Sequence, residues 1–376
     1  MTKTSDNAEQ IKYPDVSKEK AEQKKEHYDW IDLVRTIAIL SVVLCHVTEA
    51  SCRQFNLDLL AGIAPSARLF LCVCFTVGRT AGVPVFLMLT GYILLDRKYS
   101  SSDYAVFLKN RCLHLFVCTW IWYAIYEAFV IFVRHIPLTP VQIAEDFLFV
   151  HPIHLGHAWY MPMILGIYLL LPLVANALHS IDTRLLIIPV IIYIFYSFGF
   201  SFLSSAVHLL LGQELELGFS PGFSGGVYGI YVFMGYAVRK GAFRRLKTPL
   251  LVLLFILSVA SAGIMQYMIF SYGKVYKLRY DFPTVLTGSV VLAELLSRLP
   301  KVRFADIFRF LAYHAFGVYL IHLMIVRVIE NRIVFQNIPM FLKVGLLWTA
   351  TIGLSYPAVW LIGRIPKVGK YILYEK

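Results

Sequence analysis

Four ionisable side chains interrupt an otherwise apolar run near the start of the chain, and their types suit acid–base chemistry. They are Asp32, Arg35, His46 and Glu49. Arg35 and His46 are eleven positions apart. In an α-helix they nearly eclipse, about 16 Å apart along the axis. Asp32 and Glu49 each lie three positions from one of them, so all four share one stripe.

Such a stripe is expensive inside a membrane, where one charge at a helix centre costs about 3 kcal/mol even on lenient insertion scales. We therefore expect it to face the interior of a helix bundle or a water-filled cavity. A neutral imidazole can take a proton from an alcohol, and an arginine binds phosphate through two parallel hydrogen bonds. A structural alternative stays open, in which Asp32 and Arg35 form an interfacial pair and His46 joins two helices.

The composition indicates a membrane protein. Of the 376 residues, 58% are hydrophobic and only 15% are charged, and the mean hydropathy is +0.66. Long apolar segments recur from residue 30 to residue 363, and a membrane-spanning helix needs about 20 apolar residues. The six cysteines include no CxxC pair, so neither a disulfide framework nor a zinc site is expected. We expect no other metal site either.

We predict an all-α polytopic membrane protein of about ten transmembrane helices. Residues 1–28, rich in Lys and Glu, are predicted to be a disordered cytoplasmic tail, residues 29–364 the transmembrane domain, and residues 365–376 a cytoplasmic C-terminal tail. The second segment contains Arg79, so an interfacial piece followed by a span is an alternative there. The predicted spans are 30–50, 70–95, 112–133, 157–177, 184–203, 223–238, 248–271, 282–299, 307–329 and 341–363.

The basic residues predict the direction of these spans. With both termini in the cytoplasm, 24 of the 35 Lys and Arg residues fall in cytoplasmic segments, 7 in outside loops and 4 within spans. This bias follows the positive-inside rule. It also explains the net charge of +12 without a nucleic-acid partner.

The predicted topology sorts the other polar side chains by depth. The outer group, expected to converge around an acid–base chamber, is His46, Glu49, Arg79, Glu127, His157 and His322. The cytoplasmic group, expected to form a basic vestibule, is Arg35, Lys109, Arg111 and His114. Glu127 either orients a catalytic group or pairs with Arg79. His151, His154 and His157 have a three-residue spacing, but no fourth metal ligand stands out and His157 fits the lip of the chamber better.

Four stretches in the same order resemble the membrane acyltransferase-3 family. "IDLVRTIAILSVVLCHV" (31–47) is similar to its first helix, marked by Arg, ten residues, then His. "RTAGVPVFLMLTGYILL" (79–95) is similar to its second helix. "HAWYMPMILGIYLLLPLV" (157–174) and "FGVYLIHLMIV" (316–326) match two later segments. The resemblance covers about residues 29–364 and is greatest to the short members that O-acetylate cell-surface glycans.

The resemblance implies an O-acetyltransferase that moves an acetyl group from acetyl-CoA, as co-substrate, to a surface glycan or lipid-linked sugar. It implies that Arg35 and His46 are essential, with His46 as general base and Arg35 holding the donor. The family usually carries Arg-x-x-Arg at its third helix, where this chain has Arg111 and His114. Lys109 is a candidate to compensate for the missing arginine. Which residues bind the phosphate groups of CoA is therefore an open question.

Further roles complete the predicted site. Glu49, Glu127 and His322 are expected to assist catalysis, and Arg79 to bind the donor or stabilise an oxyanion. His157, Trp159 and Tyr319 are expected to contact the acceptor. We expect a multi-pass protein of a bacterial plasma membrane. The sequence leaves open whether a covalent acyl-histidine forms, and it does not predict an oligomeric state.

Two alternatives stay open. A transporter or flippase also suits ten helices with intramembrane charges, but it should contain an inverted internal repeat, and none is evident. The same fold could instead use succinyl-CoA, which would need an additional cation in the chamber.

Overall fold

Helices form all of the regular secondary structure in the residues that the computed structural model describes. These are residues 29–53, 55–149, 156–181, 183–211, 226–273, 277–332, 338–365 and 368–373. The predicted N-terminal tail, residues 1–28, lies outside them. The all-α fold class is confirmed.

The helices follow the apolar segments of the sequence closely. The helices that we number are α1 (Asp29–Ser51), α2 (Pro65–Ala81), α3 (Val83–Leu94), α4 (Ser101–Phe132), α5 (Tyr160–Ser180), α6 (Ile187–Ile194), α7 (Phe200–Leu211), α8 (Gly226–Arg239), α9 (Thr248–Ser271), α10 (Pro283–Ser297), α11 (Ala305–Arg332), α12 (Met340–Gly363) and α13 (Val368–Ile372). A π-helical turn at Leu108–Leu113 interrupts α4 near its start, and further short helices occupy Leu57–Ala61, Pro140–Phe147 and Thr183–Leu186.

Seven helical stretches of the described chain are long and apolar enough to cross a membrane. α2 and α3 together count as one of them, a stretch of 30 residues. The prediction of a polytopic membrane protein is therefore confirmed. The three remaining predicted spans fall on α8 and α10, of 14 and 15 residues, and on the divided pair α6 and α7. The count of ten and the direction of the chain stay predictions.

α1 lies at the centre of the bundle and packs against α2, α3, α11 and α12. Its buried side chains include Val34, Ala38, Val43 and Val47, none of which is exposed. Because neighbours surround it, its polar stripe faces protein and cavities rather than lipid. Large apolar side chains that point outward, such as Leu253, Ile256 and Ile264 on α9, provide the surface expected to face lipid.

Two glycines set the close contact between α2 and α1. A Cβ atom added to Gly78 would lie 2.7 Å from the Cβ of Cys45 and 2.8 Å from the carbonyl oxygen of Ser41. A Cβ atom added to Gly82, where α2 ends, would lie 3.0 Å from a methyl group of Val42. Small residues let membrane helices approach this closely. The approach sets the position of Arg79, the residue after Gly78, beside α1.

The carboxylate of Asp96, which follows α3, joins this part of the chain to the end of α8. The Oδ2 atom of Asp96 accepts a hydrogen bond of 2.8 Å from Nε of Arg239, and its Oδ1 atom contacts the ammonium group of Lys240. Burial alone would raise the pKa of Asp96, but the hydrogen bonds from Lys240 and Arg239 outweigh it and hold that pKa below its usual value.

The close packing at Gly78 gives a testable prediction. Gly78→Ala should push α2 away from α1 and lower thermal stability in detergent, by roughly 1–3 kcal/mol for overpacking. Gly166→Ala is the matched control, because an added Cβ atom there meets nothing within 4 Å and alanine favours a helix. Equal melting temperatures for the two variants would contradict the proposed role of Gly78.

Candidate active site

The carboxylate of Glu49 lies at the C-terminal end of the polar stripe on α1. Its Oε2 atom is 3.1 Å from Nδ1 of His46, and its Oε1 atom accepts a hydrogen bond of 2.9 Å from the ammonium group of Lys277. Arg79 approaches the same Oε1 atom to 4.0 Å. A carboxylate only accepts hydrogen bonds, so Nδ1 of His46 donates to it. The other ring nitrogen of His46, Nε2, then has a lone pair available for a proton.

Arg79 is held in place by aromatic rings. Its guanidinium carbon lies 4.9 Å from the ring centre of Phe75 and 4.7 Å from that of Tyr280. Such cation–π contacts stabilise a charge that has left bulk water. Its side chain is 18% exposed, so it remains within reach of a ligand.

His322 is buried beside His46, and its surroundings determine which nitrogen carries the proton. Its Nδ1 atom lies 2.7 Å from the carbonyl oxygen of Tyr319 and 3.2 Å from that of Val318. Carbonyl oxygens only accept, so Nδ1 is protonated and Nε2 carries a lone pair. That Nε2 atom is buried without a hydrogen-bond partner among the described residues. The ring centres of His322 and His46 are 5.3 Å apart.

His157 has the opposite tautomer. The hydroxyl group of Tyr126 donates its one proton to the carbonyl oxygen of Leu320 at 2.7 Å, and it lies 3.1 Å from Nε2 of His157. That Nε2 atom must therefore be the donor, which leaves the lone pair on Nδ1. The Nδ1 atom is also buried without a partner in the described chain. The ring centre of His157 is 5.1 Å from that of His322.

These groups surround a cavity of about 230 Å³, which we call the histidine chamber. Two of the imidazoles, those of His46 and His157, line it, whereas His322 is fully buried behind them. Its lining also includes Glu49, Arg79, Trp159, Tyr160, Lys277, Tyr280, Tyr319 and Arg327.

A second cavity, of about 450 Å³, lies beside the other half of the same helix; we call it the arginine cavity. It is lined by Arg35 and Arg111, with Tyr168 and apolar side chains of α3, α5 and α11. Arg35 lies 3.9 Å from the carboxylate of Asp32, and its side chain is 41% exposed. An exposed guanidinium in a cavity of this size can bind an anionic ligand.

Tyr160 lines both cavities, so its ring forms part of the wall between them. Its ring centre is 5.4 Å from that of Tyr319 in the histidine chamber. The ring of Phe316 lines the arginine cavity, one turn earlier on α11, and is stacked on Tyr319 at 6.0 Å. Aromatic side chains therefore form part of the wall between the two cavities. A slender ligand could bridge them if these rings moved aside.

Five of the six residues predicted to converge do come together, and Glu127 is the exception. It is buried but lines neither cavity, and its carboxyl group lies beside that of Asp146. Glu49, not Glu127, is the carboxylate near Arg79. Of the two alternatives for Glu127, pairing with Arg79 gives way to the contact with Asp146, because the short helix that carries Asp146 packs against α4. A role in orienting a catalytic group stays a prediction.

The predicted donor-binding group is divided between the two cavities and the surface. Arg35 and Arg111 line the arginine cavity, whereas Arg79 lines the histidine chamber. Lys109 is exposed and lines neither, and His114 contacts the ring of Tyr371 at 5.8 Å instead. His151 and His154 lie outside the described residues.

Sequence reasoning missed four residues at the chamber. Tyr280 and Lys277 come from the loop before α10, and nothing in that loop's sequence indicates a contact with α1. Arg327 is an ionisable residue within a predicted span, which is a usable signal. Tyr126, which holds the tautomer of His157, could not be distinguished from a packing residue.

The C-terminal helix α13 contributes to the arginine cavity. Nε1 of Trp122 donates a hydrogen bond of 2.6 Å to the carbonyl oxygen of Ile372. The next residue, Leu373, is buried and lines the cavity. Residues 368–373 are therefore packed into the bundle at this cavity.

The contact with Trp122 is testable. Trp122→Phe removes the donor and leaves a buried carbonyl oxygen with weaker bonding, which costs roughly 1–3 kcal/mol. We expect faster hydrogen–deuterium exchange in residues 368–373. Trp120→Phe, on the same helix but 42% exposed, should change nothing there. Equal exchange in both variants would contradict the anchoring role.

A comparison with known proteins identifies the family to which the chain belongs. A family model described as an acyltransferase domain, that of the acyltransferase-3 family, matches residues 28–364. No curated protein and no solved structure matches the chain. The match spans most of the chain and includes both Arg35 and His46. The chain therefore belongs to the acyltransferase-3 family and is a membrane acyltransferase.

Proposed function

We propose that this membrane acyltransferase moves an acetyl group from acetyl-CoA to a hydroxyl group of a cell-surface or lipid-linked carbohydrate. One observation carries the proposal: an imidazole oriented by a buried carboxylate lies in a chamber that shares an aromatic wall with a cavity lined by arginines. The histidine chamber suits a general base and an alcohol, and the arginine cavity suits an anionic thioester donor.

The arginine cavity is the proposed donor site. Its volume of about 450 Å³ falls within the range of small-molecule pockets, roughly 300–1,000 Å³. Arg35 and Arg111 would hold phosphate groups of CoA, because guanidinium binds phosphate in a bidentate manner. The rise of about 16 Å from Arg35 to His46 along α1 is comparable to the length of a pantetheine arm. Lys109 and His114 lie outside the cavity and have no role in this proposal.

The histidine chamber is the proposed acceptor site. Its volume, about 230 Å³, is below the usual range for whole small molecules, so it admits only the reacting end of an acceptor. Trp159 and Tyr319 line it and offer faces for a sugar ring. A large glycan would keep most of its length outside.

In the proposed reaction the acetyl group passes directly from CoA to the acceptor, and His46 returns the proton that it takes up. His46 Nε2 takes the proton from the acceptor hydroxyl group, whose oxygen bonds to the carbonyl carbon of the thioester. The carbon–sulfur bond then breaks, and the thiolate of CoA takes the proton back from His46. Glu49 stabilises the transient imidazolium, and Arg79 is placed to stabilise the oxyanion.

The topology predicted from the basic residues supports a cytoplasmic donor and an acceptor at the outer face. With acetyl-CoA made inside the cell and the glycan presented outside, the two cavities would be reached from opposite sides of a bacterial plasma membrane. We assign no bound cofactor to the chain.

The role of His46 is tested with radiolabelled acetyl-CoA and purified protein in liposomes. We expect His46→Ala to lower transfer to an acceptor by about 10²–10⁴-fold, the usual contribution of a general base. His135→Asn is the control: His135 lines neither cavity, and asparagine tolerates its φ of 55°. Succinyl-CoA is assayed in parallel. Neither binding nor turnover of either donor by well-folded wild type would favour the transporter alternative.

A second test separates packing from proton handling at His322. His322→Asn keeps an N–H group near the position of Nδ1, so the bonds to Val318 and Tyr319 can persist, but it removes the ring nitrogen Nε2. We expect an unchanged melting temperature and KM and a lower kcat. An unchanged kcat would show that His322 only packs behind the chamber.

A further inference from the structure

We propose that the histidine chamber selects an acceptor with a negatively charged group close to the hydroxyl group that reacts, a carboxylate or a phosphate on the sugar. This inference deepens the proposed function and depends on it. It concerns the identity of the acceptor, which the family resemblance leaves open.

The charges that line the chamber are unbalanced. Within the described structure, three cationic side chains line it, those of Arg79, Lys277 and Arg327, but Glu49 is its one carboxylate. Arg327 pairs at 2.8 Å with Glu330, which is not part of the lining. Glu49 and Glu330 balance two of these three positive charges. With His46 neutral, one positive charge remains in the chamber. An unbalanced charge in a membrane-embedded cavity is costly, so an anionic group on the ligand is the natural complement.

The cations also keep donors available for a ligand. The ammonium group of Lys277 has three protons, and its hydrogen bond to Glu49 uses one of them. The side chains of Arg79 and Arg327 are 18% and 23% exposed, so their guanidinium groups keep N–H donors that a ligand in the chamber can reach. A bound carboxylate or phosphate offers several acceptor oxygens to such donors.

An aromatic platform lies beside these cations. The ring of Trp159 is 5.8 Å from that of Tyr280 and 5.2 Å from that of Tyr228. Tyr280 in turn contacts the guanidinium of Arg79. Trp159 and Tyr280 line the chamber. A sugar ring stacked on this platform would place a charged substituent next to the cations.

One competing explanation is that the surplus charge serves the oxyanion of the reaction alone. The two explanations differ in what they predict. An oxyanion forms with every acceptor, so losing its partner lowers kcat equally for neutral and charged acceptors. An anion on the acceptor is already present in the ground state, so losing its partner raises KM for charged acceptors only.

The experiment uses three glycosides that differ only at carbon 6: methyl glucoside, methyl glucuronoside and methyl glucoside 6-phosphate. The amide of methyl glucuronoside is a neutral control of the same shape. Label transfer from acetyl-CoA is measured with the full chain in liposomes, and binding is measured independently as a shift in melting temperature. We expect an anion to bind and to accept label, and the amide and the glucoside to do both less well.

The variants identify the responsible residues. Arg327→Gln should raise KM for the charged glycosides about tenfold or more relative to KM for the neutral ones, as for a lost charge-assisted hydrogen bond. Lys277→Gln should raise the same KM and also lower kcat, because it contacts Glu49. The matched control is Arg279→Gln, two positions from Lys277, with a side chain 72% exposed and outside the chamber lining.

The outcomes are distinguishable. If the neutral glycosides bind and react as well as the charged ones, the inference fails, although the proposed acyl transfer stands. The same holds if the neutral glycosides react best with succinyl-CoA as the donor. If neither anion shifts the melting temperature, the inference also fails. An anion-specific shift without any label transfer would support the selectivity and contradict the proposed reaction. If the protein prefers either methyl glucuronoside or methyl glucoside 6-phosphate, that preference shows whether its acceptor carries a carboxylate or a phosphate.

Discussion

The contacts of one carboxylate, that of Glu49, connect the parts of this structure that could do chemistry. It orients His46 on its own helix, accepts a hydrogen bond from Lys277 in a distant loop, and lies near Arg79 on α2. A buried carboxylate is stable only when positive or hydrogen-bonding groups surround it. The close packing of α2 on α1, which Gly78 permits, brings one of those groups into place. Removal of the carboxylate would leave two cations and an imidazole without a common partner.

A single helix joins the two cavities. α1 presents Arg35 to one and His46 to the other. The wall between them includes aromatic side chains, with Tyr160 lining both sides. This arrangement separates a site for an anionic donor from a site for proton transfer while keeping both on one rigid element. Rigid elements position reacting groups better than loops do. The proposed reaction needs only the reactive end of the donor to pass the wall.

The sequence predicts the parts of this site that depend on helical periodicity. The stripe of Arg35, His46 and Glu49 follows from spacing alone, and the depth of Arg79, His157 and His322 follows from the order of the spans. It does not predict contacts made by loops. Lys277 is 228 positions from Glu49, and no periodic pattern connects them. The sequence does not predict the contact of Glu127 with Asp146 for a related reason, since Asp146 lies on a short helix that hydropathy does not reveal. Hydropathy does not determine the number of membrane spans either, because α8 and α10 are short.

The most direct test is a structure of the full-length protein with an acetyl-CoA analogue in which a methylene group replaces the thioester sulfur. We expect the phosphate groups of the analogue beside Arg35 and Arg111, its arm past Tyr160, and its carbonyl carbon in the histidine chamber close to His46. Such density would join the two cavities into one active site. An analogue bound elsewhere, with its carbonyl group remote from His46, would contradict the proposal that these cavities bind donor and acceptor.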